Sequence, residues 1–137
     1  MPEIVLRGHR VVKGKAEAEA IVTRDSISFM GGVDPTTGTI TESGSELEGE
    51  KISGKILVFP GGKGSTGGSY MLYDMAKRGT GPRGIVNVRT DSIVAMGAVM
   101  GNIPTVDQLE KNPFEVIRTG DYVIVDGDSG TVRIRKD

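Results

Sequence analysis

The segment Phe59-Pro60-Gly61-Gly62-Lys63-Gly64-Ser65-Thr66-Gly67-Gly68-Ser69-Tyr70 gathers the residue types best suited to chemistry in this chain. Five of the eight residues from Gly61 to Gly68 are glycine, which frees the backbone to turn several N–H groups towards one point. An apolar strand-like run precedes the segment and a helical pattern follows it. The first turn of that helix would add unpaired donors and the positive end of its dipole. Such a loop holds an anion: a phosphate, a carboxylate or an oxyanion. Gly62, Lys63, Gly64, Thr66 and Gly67 are the candidate anion-binding residues, and Ser65 and Thr66 place hydroxyls in the same concavity.

Familiar loop types fit it poorly. A P-loop needs Gly-Lys followed by Ser or Thr, but Gly64 follows Lys63 and Leu57 stands where the earlier glycine belongs. The spacing G-x-G-x-x-G does occur, at Gly62, Gly64 and Gly67. The ribose-binding acid expected about 20 residues on has only Asp91 to offer, which reads better as a helix cap. A structural reading makes Ser65, Thr66 and Ser69 simple N-caps. One cap needs one hydroxyl, however, and a long flexible loop costs more entropy than a tight turn requires.

The elements that must position the loop form three blocks. The first is β structure. Ile4-Val5-Leu6 and Val11-Val12 are short runs parted by Gly8, and Ala16 to Thr23 alternates with period two. Ile27-Ser28-Phe29 and Thr39-Ile40-Thr41 are predicted strands flanking the turn Asp34-Pro35-Thr36-Thr37-Gly38. Glu42 to Lys51 reads as a polar surface loop. The middle block changes period. Lys55 to Phe59 is a strand buried on both faces, and Ser69 to Arg78 is a helix with Met71, Leu72, Met75 and Ala76 on one face and Gly79 as its stop. Gly84 to Val88 is a second buried strand. Asp91 or Ser92 caps an apolar helix from Ile93 to Met100, ended by Gly101. That order suggests a right-handed βαβ unit. The last block predicts a short helix over Val106 to Lys111, then a hairpin of Asp121–Val125 and Thr131–Ile134 joined by Asp126-Gly127-Asp128-Ser129-Gly130. The expected architecture is α/β and β-rich, a barrel-like β shell with a small βαβα insert, in one domain spanning residues 1–137.

Composition bounds the function. With 17 Lys+Arg against 18 Asp+Glu the net charge is −1, so no electrostatic case exists for nucleic acid or an anionic membrane. The absence of cysteine excludes disulfides, a thiol nucleophile and any iron–sulfur cluster or thiolate zinc site held by this chain alone. A single histidine, His9, makes a Ser-His-Asp triad a poor fit. No apolar run approaches the roughly 20 residues that span a bilayer, and Met1-Pro2-Glu3 lacks the pattern of a signal peptide. The expectation is a cytoplasmic domain. Glycine, at 21 of 137, is about twice its usual share of roughly 7%, and only six aromatics are present, so the core must be aliphatic.

Gly62-Lys63-Gly64-Ser65-Thr66 resembles the G-x-G-S-S loop of aconitase-type swivel domains, whose first serine is the catalytic base of hydro-lyases. Gly31-Gly32-Val33-Asp34-Pro35 with Thr37-Gly38, taken together with Pro60 to Asp74, resembles the aconitase X group more closely, over nearly the whole chain. The resemblance implies a swivelling β/β/α domain that acts as the small subunit of a heterodimer. It implies dehydration of (R)-5-phosphomevalonate to trans-anhydromevalonate 5-phosphate in an archaeal route to isoprenoids. Ser65 carries over as the proton acceptor. A large catalytic subunit would supply a 4Fe-4S cluster, acting on the leaving hydroxyl as a Lewis acid, and most contacts to the small phosphorylated substrate. Where the ordinary aconitase loop continues with an arginine that binds a substrate carboxylate, this chain has Gly67, so anion contacts fall to backbone N–H groups, Lys63 or the partner.

Two other readings stay open: a swivel subunit for another aconitase X substrate, such as a hydroxyproline dehydrated to a cyclic imine, and a non-catalytic anion-binding module. Phosphotransfer swivel domains carry a reactive histidine in their loop region. His9 lies in the first β segment instead and reads as a surface or interface residue. Asp34 reads as bonding its own turn. Asp126 to Gly130 lacks the glycine and glutamate positions of a calcium loop and reads as a turn. Arg78, Arg83 and Arg89 read as solvated charges, one of which could steer a phosphorylated substrate.

Overall fold

The computed structural model describes residues 2–136. Its strands are β1 (Glu3–Arg7), β2 (His9–Val12), β3 (Lys15–Val22), β4 (Val33–Asp34), β5 (Thr39–Ile40), β6 (Ile56–Phe59), β7 (Gly84–Asn87), β8 (Thr105–Asp107), β9 (Tyr122–Asp126) and β10 (Thr131–Arg135). The helices are α1 (Gly67–Arg78), between β6 and β7; α2 (Ser92–Gly101), between β7 and β8; and α3 (Pro113–Val116), before β9. The main sheet runs β1-β10-β9-β3-β6-β7-β8-β2. Its two outermost strands are consecutive in the chain and separated only by Gly8, so the sheet must curl until its ends meet. Gly8 sits at that seam: its N–H donates to the Gly130 carbonyl at 2.8 Å beside β10, and a Cβ on it would meet the Asp107 carbonyl of β8 at 2.6 Å.

Pairing is antiparallel through β1, β10, β9 and β3, and parallel through β3, β6, β7 and β8. α1 and α2 make the crossovers from β6 to β7 and from β7 to β8, while the crossover from β3 to β6 runs through the β4–β5 hairpin; each leaves one strand's carboxyl end and returns to the opposite end of the sheet. β6 and β7 are buried along their full length, as their continuous apolar sequence requires. Alternate side chains serve two cores. Ile56, Val58, Val86, Val123, Val125, Val132 and Ile134 fill the barrel. Leu57, Phe59 and Ile85 face outward to Leu72, Met75, Val94 and Ala98 of the helices. In β3 the small residues Ala16, Ala18 and Ala20 point inward while Glu17 and Glu19 are exposed.

The helices pack closely because Gly97 of α2 has no side chain: a Cβ there would meet the Ser69 carbonyl at 2.9 Å and Leu72 Cβ at 3.0 Å. α1 ends at Gly79 in the left-handed region, as its sequence predicts. α2 ends differently. Gly101 is its last helical residue, and Asn102 takes the left-handed conformation at φ 54°; Asn tolerates that region better than most residues with a Cβ.

Several expectations are corrected. Ile27-Ser28-Phe29 is not a strand: only Ile27 makes a bridge, parallel to Gly62, because the chain there must also turn back through Gly31 and Gly32 to the β4–β5 hairpin. Val106 to Lys111 is not a helix. Thr105–Asp107 is a buried strand beside β7 and β2, and Gln108 at φ 50° breaks the run. The polar stretch Glu42 to Lys51 covers apolar surface, with Leu47 buried in the outer core. Met71 and Ala76 are only partly buried, and Ser69 takes a place on the buried face of α1. The β9–β10 hairpin forms as read, and Asp34 bonds its own turn through Thr36 N–H and Oγ1.

Candidate active-site loop

The Gly-rich loop leaves the carboxyl end of β6 and divides into two halves. Residues Gly61 to Lys63 are tied down. Ile27 N–H donates to the Gly61 carbonyl at 3.2 Å, and Lys63 N–H donates to the Ile27 carbonyl at 3.0 Å. Gly62 N–H donates to Asp91 Oδ1 at 2.7 Å. Asp91 lies past the end of the neighbouring β7, where its other oxygen accepts from Ile93 and Val94 N–H and caps α2. One carboxylate thus joins the loop after β6 to the helix after β7. Only glycine fits at 62, since a Cβ would meet Val94 Cγ2 at 2.8 Å and both Asp91 oxygens at 3.2 Å.

The second half, Gly64 to Gly67, is open. Among the described residues, the N–H groups of Gly64, Ser65, Thr66 and Gly67 have no acceptor. Gly64 turns the chain at φ +94° with Ser28 Oγ close by. Thr66 occupies the N-cap position of α1 in a helical conformation and makes no capping bond, and the first turn holds no acidic residue. Ser69 is buried and its hydroxyl donates across to the Ile93 carbonyl at 2.7 Å, so it ties α1 to α2 instead of capping its own helix. Ser65, Thr66 and Ser69 therefore do not act as caps. What remains is a short run of unpaired donors at the positive end of a helix, with the exposed Ser65 hydroxyl among them.

Lys63 Nζ lies 2.8 Å from Glu42 Oε2, so its charge is answered within the chain. Both Asp91 oxygens are taken by N–H groups, which removes it from any role as a ribose-binding acid. Beyond Asp91, Thr90 N–H donates to Asp107 Oδ2 at 2.7 Å, and Asp107 Oδ1 lies 2.9 Å from His9 Nδ1. Asp107 is buried while the His9 ring is exposed. His9 is thus at the surface, as its sequence suggests. Its partner, 98 positions away, left no signal in the sequence, and neither did the reach of Asp91 to Gly62.

Among the described residues no three His, Asp or Glu side chains converge as a metal site, and the chain has no cysteine, so its residues do not fit an iron–sulfur cluster. No described helix is long and apolar enough to cross a membrane. A wide cavity of ≈ 750 Å³ lies at the amino ends of β7 and β8, lined by Lys13, Lys15, Glu17, Arg83 and Asn102, at the opposite end of the sheet from the loop. The loop has the better claim to chemistry, because ligands in sheets of this kind bind at the carboxyl ends of parallel strands.

The chain is similar to known proteins over nearly its whole length. Residues 5–134 match the aconitase X swivel domain. The chain is 49% identical over 129 residues to the phosphomevalonate dehydratase small subunit of Methanocella arvoryzae, covering 94% of this chain and 98% of that protein. It is 50% identical over 129 residues to the protein of the same name from Pyrococcus furiosus, covering 94% of each. The crystal structure of Thermococcus kodakaraensis aconitase X in its holo-form superposes with a TM-score of 0.91 at 47% identity, over 97% of this chain and 99% of that one.

Proposed function

This chain belongs to the aconitase X swivel domain family, and we propose that it is the small subunit of a hydro-lyase that dehydrates (R)-5-phosphomevalonate to trans-anhydromevalonate 5-phosphate. Ser65 is the proton acceptor. Gly62, Lys63, Gly64, Thr66 and Gly67 form the cradle around it, and the whole chain, 1–137, is one swivel domain of a cytoplasmic heterodimer. The observation that carries this reading is the set of four unpaired N–H groups, from Gly64 to Gly67, at the uncapped start of α1. The named relatives support the substrate.

Dehydration breaks a C–H bond on one carbon and a C–O bond on its neighbour; the electron pair of the first becomes the new double bond, and the hydroxyl leaves with the pair of the second and is released as water once protonated. In this reading Ser65 Oγ, as an alkoxide, takes the proton. An exposed helix N-terminus stabilises a negative charge by only about 0.3–1 kcal/mol, whereas each pKa unit costs about 1.4 kcal/mol. Ser65 is exposed in this chain, so the alkoxide requires a cover that dries the loop and lets its donors act in a low-dielectric space. The large subunit supplies that cover, and the 4Fe-4S cluster belongs to it, since this chain cannot ligate one.

The test is turnover of 5-phosphomevalonate by the chain co-expressed anaerobically with its large subunit. Ser65→Ala is expected to lower kcat by about 10²- to 10⁴-fold, the usual share of a positioned base, while the complex still assembles. Undiminished turnover in that variant would move the base to the partner and leave the loop as an anion cradle.

A further inference from the structure

We infer that Arg89 is a substrate-binding residue that holds one oxyanion end of the substrate beside the Gly-rich loop. This rests on the reading of the loop as a hydro-lyase site. Arg89 lies just past the carboxyl end of β7, the strand next to β6. Its N–H donates to the Pro60 carbonyl at 3.3 Å, and its own carbonyl lies 3.1 Å from where a Cβ on Gly61 would stand. Its backbone therefore flanks the base of the loop, one strand spacing away.

Charge singles it out. A phosphorylated hydroxy acid carries a carboxylate and a phosphate, and the open N–H groups of the loop are neutral. Lys63, in the loop, is paired with Glu42; Arg24, past the end of β3 on the other side of β6, lies over the Phe114 ring; Arg89 has no ion pair or side-chain hydrogen bond among the described residues. The other two arginines of the middle block are engaged elsewhere: Arg78 pairs with Asp74 at the far end of α1, and Arg83 donates to the Glu17 carbonyl at the amino end of β7. The Arg89 side chain is exposed. A guanidinium suits the role, because its planar fork meets carboxylate and phosphate oxygens two at a time.

The experiment compares the wild-type complex with R89Q and R89K, and with R78Q as a distant control. R89Q is expected to raise KM for 5-phosphomevalonate about 10- to 100-fold, with kcat changed far less. R89K should recover part of the loss, and R78Q should match wild type. Competitive inhibition by inorganic phosphate and by acetate separates the two ends: whichever anion loses potency in R89Q is the one Arg89 holds. An unchanged KM in R89Q overturns the assignment. Should R89Q fail to assemble, an unchanged KM in R89K overturns it equally, since a lysine lacks the fork. If the wild-type complex does not turn over 5-phosphomevalonate, the substrate reading falls and Arg89 is decided by binding. Thermal stabilisation by phosphate or acetate in wild type but not in the Arg89 variants upholds it, and equal stabilisation in both overturns it.

Discussion

Two helices in this fold start the same way and end up in opposite conditions. α1 follows β6 and α2 follows β7, the strands are parallel neighbours, and both helices begin at the same edge of the sheet. The start of α2 is finished: Asp91 is extended at the N-cap and its carboxylate accepts from Ile93 and Val94. The start of α1 is unfinished: Thr66 is helical, makes no cap, and leaves the donors from Gly64 to Gly67 without partners. Leaving an N-cap empty forgoes about 0.5–2 kcal/mol. The contrast teaches that the chain is able to cap a helix at this edge and leaves one of two open. The open one carries the serine.

Closing the open end should break the contrast most visibly. Thr66→Asp places a carboxylate where the substrate anion would sit. Turnover in the assembled complex should drop at least about tenfold, corresponding to about 1.4 kcal/mol, while the stability of the chain rises by up to about 1 kcal/mol. A variant that gains stability and keeps full activity would sever the open terminus from function. The reverse operation is smaller. Asp91→Ala removes the cap of α2 and the anchor of Gly62 together, and urea unfolding should register a loss of about 1–2 kcal/mol. Asp91→Asn should recover most of it; if Ala costs nothing, the carboxylate is not the clasp described here.

The smallest effect is a control remote from both helices. Asp126 closes the β9–β10 hairpin as Asp91 closes α2, by accepting from Asp128 and Ser129 N–H. The Ser129 N–H bond chiefly holds its carboxyl below the usual value of 3.8. A depressed folded-state pKa stabilises above the unfolded value and is lost as pH falls through the folded one. The stability gap between wild type and Asp126→Asn should thus be present at pH 6 and shrink below pH 4. A gap that persists unchanged at pH 2.5 would assign it to the amide's geometry instead of to charge.

Much of this was legible in the sequence, and the reasons differ by region. β6 and β7 announce themselves because burial on both faces leaves no room for polar residues, as Ile56-Leu57-Val58-Phe59 shows. The hairpin of β9 and β10 is local, so its turn residues suffice. The strand at Thr105–Asp107 was hidden, since three residues carry no period and Val106 and Leu109 stand three apart, as on a helix face. Ile27-Ser28-Phe29 has strand composition but serves as a wall for the loop, a role only long-range packing defines. Within the loop, the glycine pattern and Ser65 could be read directly. The clasp of Asp91 on Gly62 and the unanswered charge of Arg89 could not, because both depend on β6 and β7 being neighbours.

The seam at Gly8 bears on how the chain comes together in time. The first strand pairs with the last, Glu3 opposite Arg135, and the second pairs with β8, so the opening dozen residues are stitched to partners made about a hundred residues later. Topologies dominated by such distant contacts fold slowly. During synthesis the amino-terminal strands emerge long before anything exists for them to join, and until they dock, β8 and β10 present bare edges of the kind that pair with other chains. The barrel is shut by the residues that were made first and must wait longest.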